Sequence, residues 1–351
     1  MFKNYFKIAV RNMKRDKVYS FINIFGLAIG ITCCLLIMLY IYDELSYDNF
    51  HKKADRIYRV NTDLKFGANE LKIPLCSDML GPIMKKDYPQ IEEFVRIHGR
   101  TTVMIKKDNQ FFEEDEVIFA DSTFFKVFTY PVLFGNTEHI LNEPKTVVVT
   151  ESIAKKYFGS VNAVNKFLEA DVNGKNNFRV AAVLKDVPDN TNIKFKMIFP
   201  MHNLNYDWGN YVSSNFHTYF LLQPGISPKD FSNEFDEYND KYAFPFAKKY
   251  MNIESRAAFT KAGNRLEYSL MPIRDIHLYS KLSQEMRPTG TIEYVYIFSA
   301  IALFILIIAC VNFMNLTTAH SANRAKEVGI RKVLGTERKN LISQFLIEST
   351  L

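Results

Sequence analysis

Cysteine is scarce in this chain. Of four in 351 residues, Cys33, Cys34 and Cys310 fall inside apolar runs, and Cys76 stands alone in the large central region. That region has no pair with which to close a disulfide, so its fold must rest on an apolar core. A lone Cys76 reads as a small buried hydrophobe. No stretch fits G-x-x-x-x-G-K-[ST], which excludes ATP hydrolysis by a P-loop in this chain. The seven histidines include no H-E-x-x-H pair and no Cys/His set at zinc spacing. No G-x-S-x-G elbow presents a serine nucleophile. The acidic run Glu113-Glu-Asp-Glu116 lacks the spaced ligands and glycine of an EF-hand loop, and reads as a solvated hairpin face. Trp208 is the single tryptophan; it either marks a ligand surface or anchors a loop. No catalytic residue, cofactor site or metal ligand emerges, and the chain is not expected to be an enzyme.

Charge is missing from two long stretches. Val18 to Tyr42 carries none, and Tyr294 to Asn315 carries none after Glu293; each meets the ~20 apolar residues that cross a bilayer. Basic residues crowd one flank of each. Lys3, Lys7, Arg11, Lys14, Arg15 and Lys17 face only Asp16 before the first stretch. Arg324, Lys326, Arg331, Lys332, Arg338 and Lys339 outweigh Glu327, Glu337 and Glu348 after the second, while the middle is near neutral. This bias places both ends in the cytoplasm and the middle outside, in a cytoplasmic (inner) membrane. The net charge of +6 therefore belongs to the membrane flanks. The large domain is not basic, which excludes a nucleic-acid partner.

The expected order is an interfacial amphipathic helix (1–17), a first span (18–42), an external domain (43–291), a second span (292–317) and a cytoplasmic segment (318–351). Phe2, Tyr5, Phe6, Ala9, Val10 and Met13 recur at helical spacing opposite the lysines, as in a helix lying along the inner leaflet. Gly26 and Gly30 form a GxxxG, which permits close helix approach. Asn312 and Asn315, three apart near the end of the second span, read as polar helix-packing groups. In the middle, Ile57–Phe66, Phe94–Lys106 and Phe111–Ala120 alternate as strands, the last two a hairpin around residues 107–110. Pro74–Tyr88 and Ser227–Tyr250 read as helices. Lys145–Thr150 reads as a buried strand, and Glu151–Phe158 as a helix closed by Gly159. Phe167–Val172 and Phe178–Asp186 flank the turn Asn173-Gly174, and Leu266–Ile276 is a late strand. The fold class is a membrane protein: two transmembrane α-helices flank an extracytoplasmic α+β domain, with amphipathic cytoplasmic helices at both ends. One subdomain inserted in another is compatible with this order.

The stretch Arg324-Ala-Lys-Glu-Val-Gly-Ile-Arg-Lys-Val-Leu-Gly335 reads as a helix, a glycine corner, then a second amphipathic segment from Glu337 to Ser349. Glu327 precedes Arg331 by four residues, the favourable order for a helical ion pair. Gly335 stands where a helix C′ glycine would, and Thr336 suits an N-cap. Residue chemistry alone gives a basic amphipathic hairpin at a membrane exit.

Arg324-x-x-Glu327-Val-Gly329-Ile-Arg331-Lys-x-Leu-Gly335, followed by Gln344-Phe-Leu-Ile-Glu348, resembles the MacB/FtsX-type permeases of ABC transporters. In that family this segment is the coupling helix, which seats on a separate cytoplasmic ATPase. The resemblance implies that Arg324, Glu327, Val328, Gly329, Arg331, Lys332 and Gly335 dock the ATPase. Val148-Val-Thr-Glu151-Ser-Ile-Ala154-Lys-Lys-Tyr-Phe158-Gly159, Val183-Leu-Lys-Asp186-Val-Pro188 and Ile276-His277-Leu278 resemble the periplasmic core domain of the same permeases. The family continues into further spans, so the chain is expected to be the N-terminal portion of a longer permease. It is expected to carry ATP-driven motion outward for export, lipoprotein extraction or envelope regulation. Expected partners are the ATPase, membrane lipid, a second permease unit (homodimer or pseudo-dimer) and a periplasmic protein. The alternative is a two-span sensor with an extracellular ligand-binding domain. That architecture calls for a sustained coiled coil after the second span, whereas a glycine corner follows here.

Overall fold

The computed structural model describes residues 17–136, 140–251, 253–333, 335 and 342. The expected helix over 2–14, and the amphipathic segment after Gly335 apart from Ile342, lie outside them. Along the chain, α1 (Lys17–Leu45) leads to the hairpin of β1 (Ile57–Phe66) and β2 (Asn69–Ile73), then α2 (Leu80–Asp87). A long hairpin follows, β3 (Ile91–Lys107) and β4 (Gln110–Ala120), then α3 (Phe124–Val127), β5 (Val132–Gly135), β6 (Thr146–Thr150) and α4 (Glu151–Phe158). Next come β7 (Phe167–Asp171), β8 (Lys175–Leu184), β9 (Met197–Pro200) and β10 (His217–Leu222). Three helices, α5 (Ser232–Tyr238), α6 (Phe244–Met251) and α7 (Arg256–Lys261), precede β11 (Arg265–Pro272), α8 (Ile276–Tyr279) and α9 (Ile292–Val333). The chain forms two compact units, divided at Asp43/Glu44 and at Thr291/Ile292.

The first unit pairs α1 with α9. Ile24–Leu45 and Ile292–Asn315 are each long and apolar enough to cross a membrane. Gly30 faces Ala309, Gly26 faces Asn312, the Cys34 thiol donates to the Ala302 carbonyl at 3.2 Å, and Tyr40 meets Phe298 edge-on. Residue numbers rise on one helix as they fall on the other, so the two run antiparallel. A Cβ on Gly30 would lie 2.9 Å from the Ala309 Cβ, and one on Gly26 would lie 3.1 Å from Asn312 Nδ2. The glycine face thus packs within the chain, against its own second helix. Asn312 is half-buried but Asn315 is exposed. Three residues advance a helix to about 60° short of a full turn, enough to carry Asn315 off a narrow seam.

The second unit is an α+β domain around an eleven-stranded sheet, with main order β11-β1-β10-β3-β4-β9-β6-β8-β5. Its central strands are continuous apolar runs because both faces are covered. In β6, Val147 and Val149 enter one core while Val148 enters another; Met197 and Phe199 of β9 part from Ile198 in the same way. On β10, Tyr219 and Leu221 join the central core and Phe220 and Leu222 a third one. The 17-residue β3 passes through all three, with Ile91, then Val95 and Ile97, then Val103 and Ile105.

Several expectations need correction. Within Pro74–Tyr88 only Leu80–Asp87 is helical. Cys76 exchanges backbone hydrogen bonds with Phe216, which holds the preceding segment extended. Ser227–Tyr250 is a broken succession of 3₁₀, α, π and α turns. The late strand stops at Pro272, and Ile276 already belongs to α8. Glu113–Glu116 is not a uniformly solvated face. Glu114 is buried, and both Lys156 Nζ and the Tyr157 hydroxyl donate to its Oε1.

Candidate functional site

The residues expected to dock an ATPase occupy the last turns of α9. Arg324, Glu327, Val328, Gly329, Arg331 and Lys332 all lie on this 42-residue helix, which runs from the apolar stretch into the basic one without interruption. Gly329 is exposed, and a Cβ there would meet nothing within 4 Å. Gly335 has φ +88°, the left-handed conformation that ends a helix at low cost for glycine. Positions 324, 327, 328 and 331 recur at helical spacing and share one face of the helix.

A second constellation lies in the α+β domain, where the segment leaving α1 and the segment entering α9 meet. Asp48 takes a positive φ just past the end of α1, and its carboxylate is fully buried. It accepts from the Thr191 hydroxyl, from the backbone N–H of Asn192 (3.2 Å) and from Asn192 Nδ2 (2.5 Å). Its own N–H donates to the Asn190 carbonyl at 3.0 Å, and Asn190 Nδ2 donates to the Ser46 hydroxyl at 2.8 Å. His51 Nδ1 accepts from the Thr129 N–H at 3.1 Å, which leaves the ring proton of a neutral imidazole on Nε2, 3.7 Å from Asp48 Oδ1. The same loop is held from the other side: Arg287 Nη1 donates to the carbonyls of Asp189 (2.7 Å) and Thr191 (2.9 Å). Lys194 also pairs with Asp189, and that hydrogen bond holds the Asp189 carboxyl below its ordinary value.

Beside this knot, His277 of α8 is buried and stacks on Tyr47, with ring centroids 3.4 Å apart and planes 4° from parallel. Its Nε2 lies 2.9 Å from Glu44 Oε2, in the last turn of α1. Gly290, two residues before α9, closes the group. A Cβ there would fall 2.6 Å from Glu44 Oε2 and 3.1 Å from His277 Nε2. Arg59 on β1 anchors the returning segment. Its guanidinium is buried and forms a two-pronged pair with Glu285 (2.5 and 2.9 Å), and it also donates to Asn61 Oδ1 and the Ser280 hydroxyl. Removing one partner of such a buried pair costs about 3–5 kcal/mol, because the other charge is left uncompensated. Most of these groups find partners in one another, while His51 Nε2 and His277 Nδ1 are buried without a hydrogen-bond partner.

Sequence reasoning reached His277 and Asp186 only within quoted motifs, and missed Glu44, Asp48, Arg59 and Gly290. Asp186 receives the backbone N–H and hydroxyl of Ser152, tying the first of those motifs, on α4, to the second. Trp208 is a loop anchor: its ring lies over the Arg96 guanidinium at 5.2 Å and stacks on Phe216.

Residues 20–238 match the family described as the MacB-like periplasmic core domain, and residues 299–351 match the FtsX-like permease C-terminal family. The chain is 40% identical over 63 residues to the macrolide export ATP-binding/permease protein MacB of Neisseria gonorrhoeae. That alignment covers 18% of this chain, and the chain spans only about a tenth (10%) of the relative's length. A permease-protein domain from Porphyromonas gingivalis has a similar fold, with 24% identity and a TM-score of 0.50 over 63% of this chain and 91% of that one. The periplasmic region of MacB from Actinobacillus actinomycetemcomitans is more distant, with 13% identity and a TM-score of 0.41 over 64% and 91% of the two chains.

Proposed function

Since the chain belongs to the family of the MacB-like periplasmic core domain, within the MacB/FtsX-like permeases of ABC transporters, we propose that it transmits ATP-driven motion. A separate cytoplasmic ATPase supplies the motion, and the α+β domain outside the inner membrane receives it. The chain itself performs no catalysis. The work is export, lipoprotein extraction or regulation at the cell envelope, with a second permease unit, a periplasmic protein and anionic lipid as further partners. The observation that carries this reading is the continuity of α9. A helix that crosses the membrane and ends in the basic stretch delivers a push on its end directly to the span. Arg324, Glu327, Arg331 and Lys332 make the polar contacts with the ATPase, and Val328 the apolar one. Gly329 lets a partner backbone approach closely, and Gly335 turns the chain away.

The test is affinity capture from the chain's own cells after mild detergent extraction. The native chain should retain a P-loop ATPase. Glu327→Arg and Gly329→Leu should each reduce retention by about tenfold, or about 1.4 kcal/mol. Attraction to anionic lipid would instead persist or strengthen on Glu327→Arg, because the change adds positive charge. Equal retention of the ATPase by all three proteins, or none by the native chain, overturns the docking assignment.

A further inference from the structure

Three chain segments meet at His277. Glu44 and Tyr47 come from the end of α1 and the turn after it, His277 from α8, and Gly290 from the approach to α9. The contacts leave little slack. The imidazole is stacked on Tyr47 and bonded to Glu44, and a Cβ at Gly290 would sit 2.6 Å from the Glu44 carboxylate and 3.1 Å from His277 Nε2, so that one or both would have to shift. Movement of Gly290 toward Glu44 therefore displaces the carboxylate or the ring, and movement of Glu44 away from His277 breaks the 2.9 Å hydrogen bond. The next residue along, Ile276, is fully buried in the central core with Ile57, Tyr219 and Leu221 of the sheet. Any displacement of His277 thus reaches the sheet through packed, poorly compressible side chains.

We infer that Glu44, His277 and Gly290 form a transmission clamp, with His277 the positioning residue that passes displacement of the two helix-leading segments into the domain. This rests on the reading of the chain as a motion-transmitting permease. Asp48 and Arg287 complete the clamp by gripping the 189–192 loop from the same two segments.

The test uses the full permease–ATPase complex in lipid nanodiscs and compares hydrogen exchange of residues 186–194 and 273–290 with and without ATP. In the native complex ATP should shift exchange in both segments. His277→Ala should reduce that shift about fivefold or more, while ATP hydrolysis continues near the native rate. Gly290→Ala, which removes no hydrogen-bonding group, should act in the same direction. Glu44→Gln still offers an oxygen to a ring N–H and should retain most of the shift. Trp208 fluorescence melts show that each variant is folded. A native-sized shift in folded His277→Ala and Gly290→Ala overturns the clamp and leaves the permease reading intact. If the native chain neither holds an ATPase nor responds to ATP, the functional reading fails and takes the clamp with it.

Discussion

His217 is buried on β10, and burial lowers its pKa to about 3, with the neighbouring Arg59 charge acting in the same direction. The folded ring stays neutral through mild acid, whereas in the unfolded chain it takes up a proton below its ordinary value of about 6.5. Stability is therefore present above pH ~6.5 and is lost as pH falls from there towards 3, by about 2 kcal/mol at pH 5. His98, whose pKa is also lowered by burial, adds to the loss. Trp208, the lone tryptophan, makes this measurable as a denaturation midpoint by fluorescence, lower at pH 5.0 than at 7.5. His217→Asn should narrow the gap, and a pH-independent midpoint would contradict the account. Little at this scale was readable from the sequence. Asp48 and Asn192 look like ordinary turn residues, and nothing local shows that one accepts from the other across the domain. Gly290 reads as one more loop glycine until the Glu44 carboxylate is placed beside it.

Elements were easier to read where the physics is local. Asp108-Asn109 and Asn173-Gly174 take the positive φ that tight hairpins need, and both hairpins follow from their sequences. The central strand β10 escaped because it is buried on both faces and shows no alternation in His217–Leu222. The basic stretch at the end of α9 differs in composition from the apolar stretch before it, yet the backbone ladder is indifferent to that change and α9 carries through. The α1–α9 seam yields a prediction of its own. Gly30→Val should force the helices apart, since even a Cβ would sit 2.9 Å from Ala309. In a background of Cys33→Ala, Cys76→Ser and Cys310→Ala, oxidative crosslinking of Cys34 to Ala302→Cys should fall several-fold with Gly30→Val. Undiminished crosslinking would show that the helices do not depend on this close approach.

For the whole molecule, the uneven distribution of charge makes a directional prediction. A cysteine placed at Asn69, exposed in β2, should react with a membrane-impermeant maleimide in intact spheroplasts. One at Val333, at the end of α9, should react only after permeabilisation. The reverse pattern would invert the orientation. The overall plan was readable because charge and hydropathy act over tens of residues. The way the domain's two ends are joined to each other was not, since it depends on pairs such as Glu44–His277, 233 residues apart, and Asp48–Thr191, 143 apart.

The length of α9 has a mechanical consequence. At 42 residues it is about 63 Å long, of which the apolar Ile292–Asn315 stretch takes up about 36 Å. No proline interrupts it, which removes a common cause of a sharp kink. Pivoted at the middle of the apolar stretch, it is a lever with arms of about 18 and 45 Å. If the chain transmits motion as proposed, travel at the basic end would arrive at the other end reduced about 2.5-fold, with force multiplied by the same factor. Under the proposed function such a helix would deliver a short, strong stroke.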